Sequence, residues 1–129
     1  MSPAQFNSAG PEAAKIAHVA LGSNLASPVG GPAATVEAAM ERLSGLGVVA
    51  ARSSLYETEA VGEVDQPAFV NAVVTLRTLL DPHSLLQGLL RLEREFGRDR
   101  GVTAPKGPRT LDLDILLMGE LVQIGRAHV

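Results

Sequence analysis

Asp112 and Asp114 stand two residues apart in the run Leu111-Asp112-Leu113-Asp114-Ile115-Leu116-Leu117, and Arg109 lies three residues ahead of the first. Side chains in a β-strand alternate between faces, so both carboxylates would point one way while Leu111, Leu113 and Ile115 point into a core. Two like charges on one face repel each other and are costly to desolvate, which favours a cation between them. Magnesium suits that place, because it is a hard ion held by one or two carboxylates together with phosphate oxygens. The plainer alternative is a half-exposed strand with an acidic outer face. Aspartate is depleted in strands, so a same-face pair favours the metal.

The elements around this segment follow from periodicity. Ile16 to Leu21 is a short apolar run, expected as a buried strand that ends in a turn at Gly22-Ser23-Asn24. Gly30-Gly31-Pro32 opens a helix whose apolar positions are Val36, Ala39, Met40, Leu43 and Leu46, closed by Gly45 and Gly47. Val48 to Tyr56 is expected as a second strand, followed by a loop of about eleven residues from Glu57 to Pro67. Phe69 to Leu76 forms a third strand, with Val70, Ala72, Val74 and Leu76 on one face and Phe69 and Asn71 on the other. Asp81-Pro82 pairs a capping side chain with proline at the first helical position. The helix it starts buries Leu85, Leu86, Leu89, Leu90, Leu92 and Phe96, and Gly97 ends it. A basic, glycine-rich loop over 98–107 leads to the last strand, Thr110 to Met118.

Strand, helix, strand, strand, helix, strand is the order of an α+β, ferredoxin-like split βαβ fold, an antiparallel sheet with both helices packed on one face. Phe69, Asn71, Asp112 and Asp114 would then share the opposite face. The chain of 129 residues is expected to hold one domain over 16–122, behind a disordered extension over 1–15.

Composition narrows the function classes. There is no cysteine, which removes disulfides and thiolate metal sites and is compatible with the reducing cytoplasm, the expected location. A formal charge of −3 argues against a general nucleic-acid partner. Yet Arg91, Arg94, Arg98, Arg100, Lys106 and Arg109 crowd six of the eleven basic residues into nineteen positions. That local surplus suits a small phosphate-bearing ligand better than a long polyanion, although a solvated helix face is the common fate of such runs. No stretch approaches the roughly 18 apolar residues of a membrane span, and the first residues lack the pattern of a secretory signal. Neither a P-loop nor a G-x-G-x-x-G fingerprint is present. His18, His83 and His128 are too scattered to suggest a metal cluster.

Three segments together resemble a known family. They are Ala20-Leu21-Gly22-Ser23-Asn24-Leu25, then Asp65-Gln66-Pro67 followed by Phe69-Val70-Asn71-Ala72, and Gly107-Pro108-Arg109-Thr110-Leu111-Asp112-Leu113-Asp114-Ile115. In this order they are similar to the signatures of the 6-hydroxymethyl-7,8-dihydropterin pyrophosphokinases, over about Ile16 to Gly119. The resemblance implies transfer of a pyrophosphoryl group from ATP to the pterin hydroxymethyl with release of AMP, in folate biosynthesis. It implies that Asp112 and Asp114 hold two Mg2+ ions against the ATP phosphates, and that Glu93, Arg98, Arg100, Arg109 and Ile115 contact ATP. Asp112, Asp114, Arg98 and Arg109 would carry the catalysis. Thr58, Val61, Phe69 and Asn71 would take the pterin, Phe69 by stacking and Asn71 by hydrogen bonds to the ring edge. The partners expected are these small molecules, with no nucleic acid, no membrane and a monomeric state.

The chain also departs from the family pattern. Thr103-Ala104-Pro105-Lys106 stands where an Arg-Trp pair is usual, with Lys106 a partial substitute, and Leu90 stands where a glutamine is expected. The segments that usually follow Gly119 do not follow here. Residues 123–129 can be encoded by a DNA string resembling a sequencing-library adapter, so they are expected to be a non-native tail on a C-terminally truncated chain. These departures keep a second hypothesis open, a ferredoxin-like module that binds nucleotide or pterin without turnover.

Overall fold

The computed structural model describes residues 14–59, 67–97 and 109–120. Five strands and two helices occur in the order β1 (Lys15–Ser23), α1 (Pro32–Arg42), β2 (Val48–Arg52), β3 (Tyr56–Thr58), β4 (Phe69–Thr78), α2 (Pro82–Glu95) and β5 (Asp112–Glu120). The sheet order is β2-β4-β1-β5, with β3 paired to β4 beyond β2, and each described pairing is antiparallel. This is the α+β ferredoxin-like arrangement expected from element order. No helix among the described residues is long and apolar enough to cross a membrane.

Alternation along the central strands decides which face is covered. Ala17, Val19 and Leu21 of β1 and Ala72, Val74 and Leu76 of β4 are buried in one cluster with Val36, Ala39 and Met40 of α1 and Leu85, Leu89 and Leu92 of α2. At this density, truncating one of the buried leucines to alanine costs about 2–5 kcal/mol, so the helices are firmly seated. An ion pair between Arg42 and Glu95 joins the C-terminal ends of the two helices.

Four local features differ from the periodic reading. β1 continues through Gly22 and Ser23, both still paired to β4, so the turn begins only at Asn24. The second strand is split. Ser53 N–H donates to Val73 O at 2.9 Å, but Val73 N–H returns to Ser53 Oγ instead of a backbone carbonyl. A side-chain hydroxyl thus interrupts the ladder, and pairing resumes at Tyr56 opposite Asn71. Leu86 is 42% exposed and lies outside the buried stripe of α2. Gly88 takes a place there because the side chain of Leu46 packs where a Cβ would be. Finally, a register shift in β5 pairs Val19 with Ile115 but His18 with Leu117. The extra residue turns Leu117 outward, 65% exposed, and Met118 inward against the core.

Asp81 caps α2 as its sequence suggested, accepting a hydrogen bond from Ser84 N–H at 2.7 Å. That backbone bond, helped by the bond to the Ser84 side chain, holds the Asp81 carboxyl below its ordinary value of 3.8. A carboxyl lowered in the folded state stabilises above its unfolded pKa and loses that contribution as pH falls through the folded one. Asp81→Ala is therefore expected to lower the thermal midpoint at neutral pH. The deficit against the native chain should shrink as pH falls below 3.8, which paired melts at pH 7 and pH 3 would check.

Candidate active site

Gly22 is the centre of the uncovered face. It pairs with Asn71 on β4 and with Asp112 on β5, and Asn71 pairs in turn with Tyr56 on β3. One row therefore runs Tyr56, Asn71, Gly22, Asp112 across the sheet. Two residues along β1, Ala20 pairs with Asp114. With no side chain at Gly22 and one methyl at Ala20, the middle strand is a low floor between taller neighbours. The result is a cavity of about 430 Å³, lined by Ala20, Leu21, Gly22, Thr58, Glu59, Phe69, Asn71, Arg109, Asp112 and Asp114. A Cβ at Gly22 would come within 3.2 Å of Asn71 Oδ1 and 3.6 Å of Phe69 Cδ1, so the floor is shaped to glycine.

The β4 side of the cavity is an aromatic ring beside an oriented amide. Asn71 Nδ2 donates to Thr58 Oγ1 at 2.9 Å and to Phe69 O at 3.2 Å, with Tyr56 O at 3.4 Å. These acceptors fix which end of the amide is nitrogen and leave Oδ1 over Gly22. Asn71 therefore presents an acceptor to the cavity, while its donors are spent on the protein.

The β5 side is electrostatic. Three carboxylates, Glu59, Asp112 and Asp114, line the cavity with one described guanidinium, that of Arg109. Arg109 Nη1 reaches Asp112 Oδ2 only at 3.5 Å, a long contact with both side chains part-exposed. No group of three or more potential metal ligands occurs among the described residues. Two hard oxygen donors on a face accessible to solvent nevertheless fit magnesium, which takes its remaining ligands from phosphate and water.

Glu93 and Ile115 occupy less direct positions. Glu93 is only 1% exposed, and its Oε2 accepts from the backbone N–H of Leu113 at 2.8 Å. It thereby fills an outward-facing ladder position on edge strand β5, between the two aspartates. Ile115 packs against the core cluster on the helix side, so only its backbone could face a ligand beside Asp114. Val61, Arg98, Arg100 and Lys106 lie outside the described residues. Glu59 joins the cavity without a periodic signal, because it lies within the expected loop from Glu57 to Pro67, just past β3, whose first residue ends the expected second strand. Asn24, a turn residue in the first of the three family-like segments with no role assigned from sequence, is 1% exposed and bonded to Pro67 and Arg109.

The antiparallel sheet thus gathers three carboxylates, a guanidinium, an aromatic ring and an amide around one cavity. Comparison with known proteins defines the class further. The family model for 7,8-dihydro-6-hydroxymethylpterin-pyrophosphokinase matches residues 18–129. A 2-amino-4-hydroxy-6-hydroxymethyldihydropteridine pyrophosphokinase of Pseudomonas aeruginosa is 50% identical over 113 residues, covering 87% of this chain and 67% of the relative. One from Haemophilus influenzae is 46% identical over 114 residues, 88% of this chain and 69% of the relative. A folate synthesis bifunctional protein of Arabidopsis thaliana is 43% identical over 103 residues, 79% of this chain and 20% of the relative. The chain belongs to the 7,8-dihydro-6-hydroxymethylpterin-pyrophosphokinase family, a family of pyrophosphokinase enzymes.

The Glu93 contact gives a test of how β5 is held. Glu93→Ala strands a buried N–H and is expected to cost about 1–3 kcal/mol in urea unfolding. It should also speed amide exchange at Leu113, whereas Glu93→Gln, which keeps an acceptor oxygen, should retain that protection.

Proposed function

We propose that the chain carries the site for magnesium-dependent transfer of a pyrophosphoryl group from ATP to 6-hydroxymethyl-7,8-dihydropterin, giving AMP and the pterin diphosphate in folate biosynthesis. The observation that carries this reading is the cavity itself. Its β5 side offers Asp112, Asp114 and Arg109, and its β4 side offers Phe69, Asn71 and Thr58. A phosphate chain and a flat heterocycle would thus meet across the bare Cα of Gly22.

Phe69 supplies a ring face for the bicycle, worth about 0.5–1.5 kcal/mol beyond burial. Asn71 Oδ1 accepts from a ring N–H, with its amide already oriented by Thr58. Arg109 pairs with phosphate oxygens through a planar fork that stays charged. Arg98 and Arg100 are assigned to the same task, Val61 to the pterin, and Glu93 and Ile115 to the nucleotide side through the backbone they hold or carry. Asp112 and Asp114 would hold two magnesium ions, which when bound neutralise triphosphate charge and favour ionisation of the attacking hydroxyl. In the transfer, the pterin hydroxymethyl oxygen bonds to the β-phosphorus and the bond to the α–β bridging oxygen breaks. AMP leaves with that oxygen, and the hydroxyl proton passes to solvent. The contribution of the chain is positioning and charge, with the two ligands fixed in line. The small-molecule partners, a monomeric state and a cytoplasmic setting belong to the same proposal; the net charge of −3 favours small-molecule partners over nucleic acid.

Binding is read on the 129-residue chain, and turnover on the product of the longest genomic reading frame that contains it. Asp112→Ala or Asp114→Ala is expected to weaken magnesium-dependent binding of a non-hydrolysable ATP analogue by more than about tenfold, with the fold nearly intact. Calorimetry that shows unchanged affinity in both variants would sink the metal assignment. Phe69→Ala and Asn71→Ala should each weaken pterin binding by about five- to tenfold, on the order of 1 kcal/mol, and spare the nucleotide. Pterin-dependent formation of AMP carries the reaction. Binding of both ligands without AMP would identify a non-catalytic module instead.

A further inference from the structure

We propose that Ser53, which lies outside the cavity, is a positioning residue for its β4 side. The Ser53 hydroxyl holds an extra residue between β2 and β3, and that residue turns Thr58 onto the open face. The inference rests on the substrate reading above and assigns what sets its pterin half.

β2 and β3 both pair with β4, but in different registers. In β2, Ala51 is opposite Thr75 and Arg52 is opposite Val74. Continued without interruption, that register would set Leu55 opposite Asn71 and Tyr56 opposite Val70. Tyr56 is instead opposite Asn71, and Thr58 is opposite Phe69. One extra residue therefore lies between the two strands, as in a β-bulge. Side chains alternate, so a one-residue shift exchanges the faces of everything that follows. Arg52, before the shift, is on the helix side, where it pairs with Glu41 of α1 at 3.1 Å. Leu55, near its end, packs against the core cluster. Thr58 reaches the open face, where its Oγ1 accepts from Asn71 Nδ2 at 2.9 Å. Without the extra residue Thr58 would point toward the helices, and Leu55 would stand beside Asn71.

An extra residue in a ladder leaves backbone groups without strand partners. Here one hydroxyl answers for two of them. Ser53 N–H donates to Val73 O at 2.9 Å, and Ser53 Oγ accepts from Val73 N–H at 2.9 Å. The same Oγ donates to Ser54 O at 2.8 Å. A serine or threonine hydroxyl can accept and donate at once, and alanine can do neither. Ser53 is exposed, so water can satisfy the freed groups in Ser53→Ala and the fold should persist. What is lost is the contact that favours one register over its neighbour.

The test is calorimetric titration of the 129-residue chain with the pterin, and separately with magnesium and a non-hydrolysable ATP analogue. It is repeated for Ser53→Ala, Ser53→Thr, Thr58→Val and the double variant Ser53→Ala with Thr58→Val. Ser53→Ala should weaken pterin binding by about three- to tenfold, the range of one hydrogen bond, and leave nucleotide affinity within about twofold of native. Ser53→Thr, which keeps the hydroxyl, should restore native pterin affinity. In the Thr58→Val background, Ser53→Ala should cost less than about twofold, because the group it positions is already gone. A merely structural hydroxyl would weaken both ligands in parallel and cost the same with or without the Thr58 hydroxyl. Either result would overturn the inference.

The register is read without any ligand from the nuclear Overhauser contact between Tyr56 and Asn71. It should persist in Ser53→Thr and fade in Ser53→Ala, and its full retention in Ser53→Ala would overturn the inference whatever the chain binds. Should Ser53→Ala fail to fold, amide exchange at Val73 in the native chain decides. The pterin should slow that exchange and the nucleotide should not; any other pattern contradicts the role. A native chain that binds no pterin overturns the substrate reading instead, and the Tyr56–Asn71 contact alone then judges the register.

Discussion

A sheet can carry charge on one strand and an aromatic ring on another, but it can hold a ligand between them only if the strand in the middle keeps out of the way. Here that strand is β1, and its residues at the crossing are Gly22 and Ala20. The registers of β4 and β5 against β1 place Asn71 and Asp112 on either side of Gly22, and any slip by one residue would turn one of them into the core. The core on the helix side and the cavity on the open side are thus two consequences of one alignment. Leu21 and Leu113 are buried because Gly22, Asp112 and Asp114 face the other way.

The same alignment concentrates negative charge. Glu59, Asp112 and Asp114 share the cavity with one described arginine, a charge balance that suits the cation proposed above. Around the rim, buried side chains satisfy backbone groups. Glu93 answers the Leu113 N–H between the aspartates, and Asn24 holds the backbone of Arg109. Buried polar groups of this kind are worth most when each has its partner, so rim and cavity are energetically joined.

Much of this is legible in the sequence. Period-two alternation in Phe69–Thr78 and in residues 111–115 separates core from cavity, and the Asp81-Pro82 signal fixes the start of α2. The features that escape are a side chain that replaces a backbone partner, an extra residue in a strand, and a contact made only in the folded sheet. Ser53 answers Val73 N–H with a hydroxyl and so splits a strand whose β-branched and apolar composition suggests continuity. The extra residue in β5 shifts alternation after Ile115, which composition cannot show because Ile115, Leu116, Leu117 and Met118 are all apolar. The Asn24 clamp is invisible for a different reason. Its partners are defined only after the sheet has formed, and a Gly-Ser-Asn sequence by itself looks like any turn.

The most direct measurement is paramagnetic broadening of backbone amide resonances when Mn2+ replaces magnesium with a non-hydrolysable ATP analogue on the isotopically labelled chain. Broadening should centre on residues 112–114 and, across the strand pair, on Ala20 and Gly22, while Val36 and Ala39 of α1 on the far side of the sheet remain sharp. Broadening centred instead on the groove between α1 and β2, where Glu37 and Glu41 lie, would contradict the assignment of the metal and nucleotide to the open face.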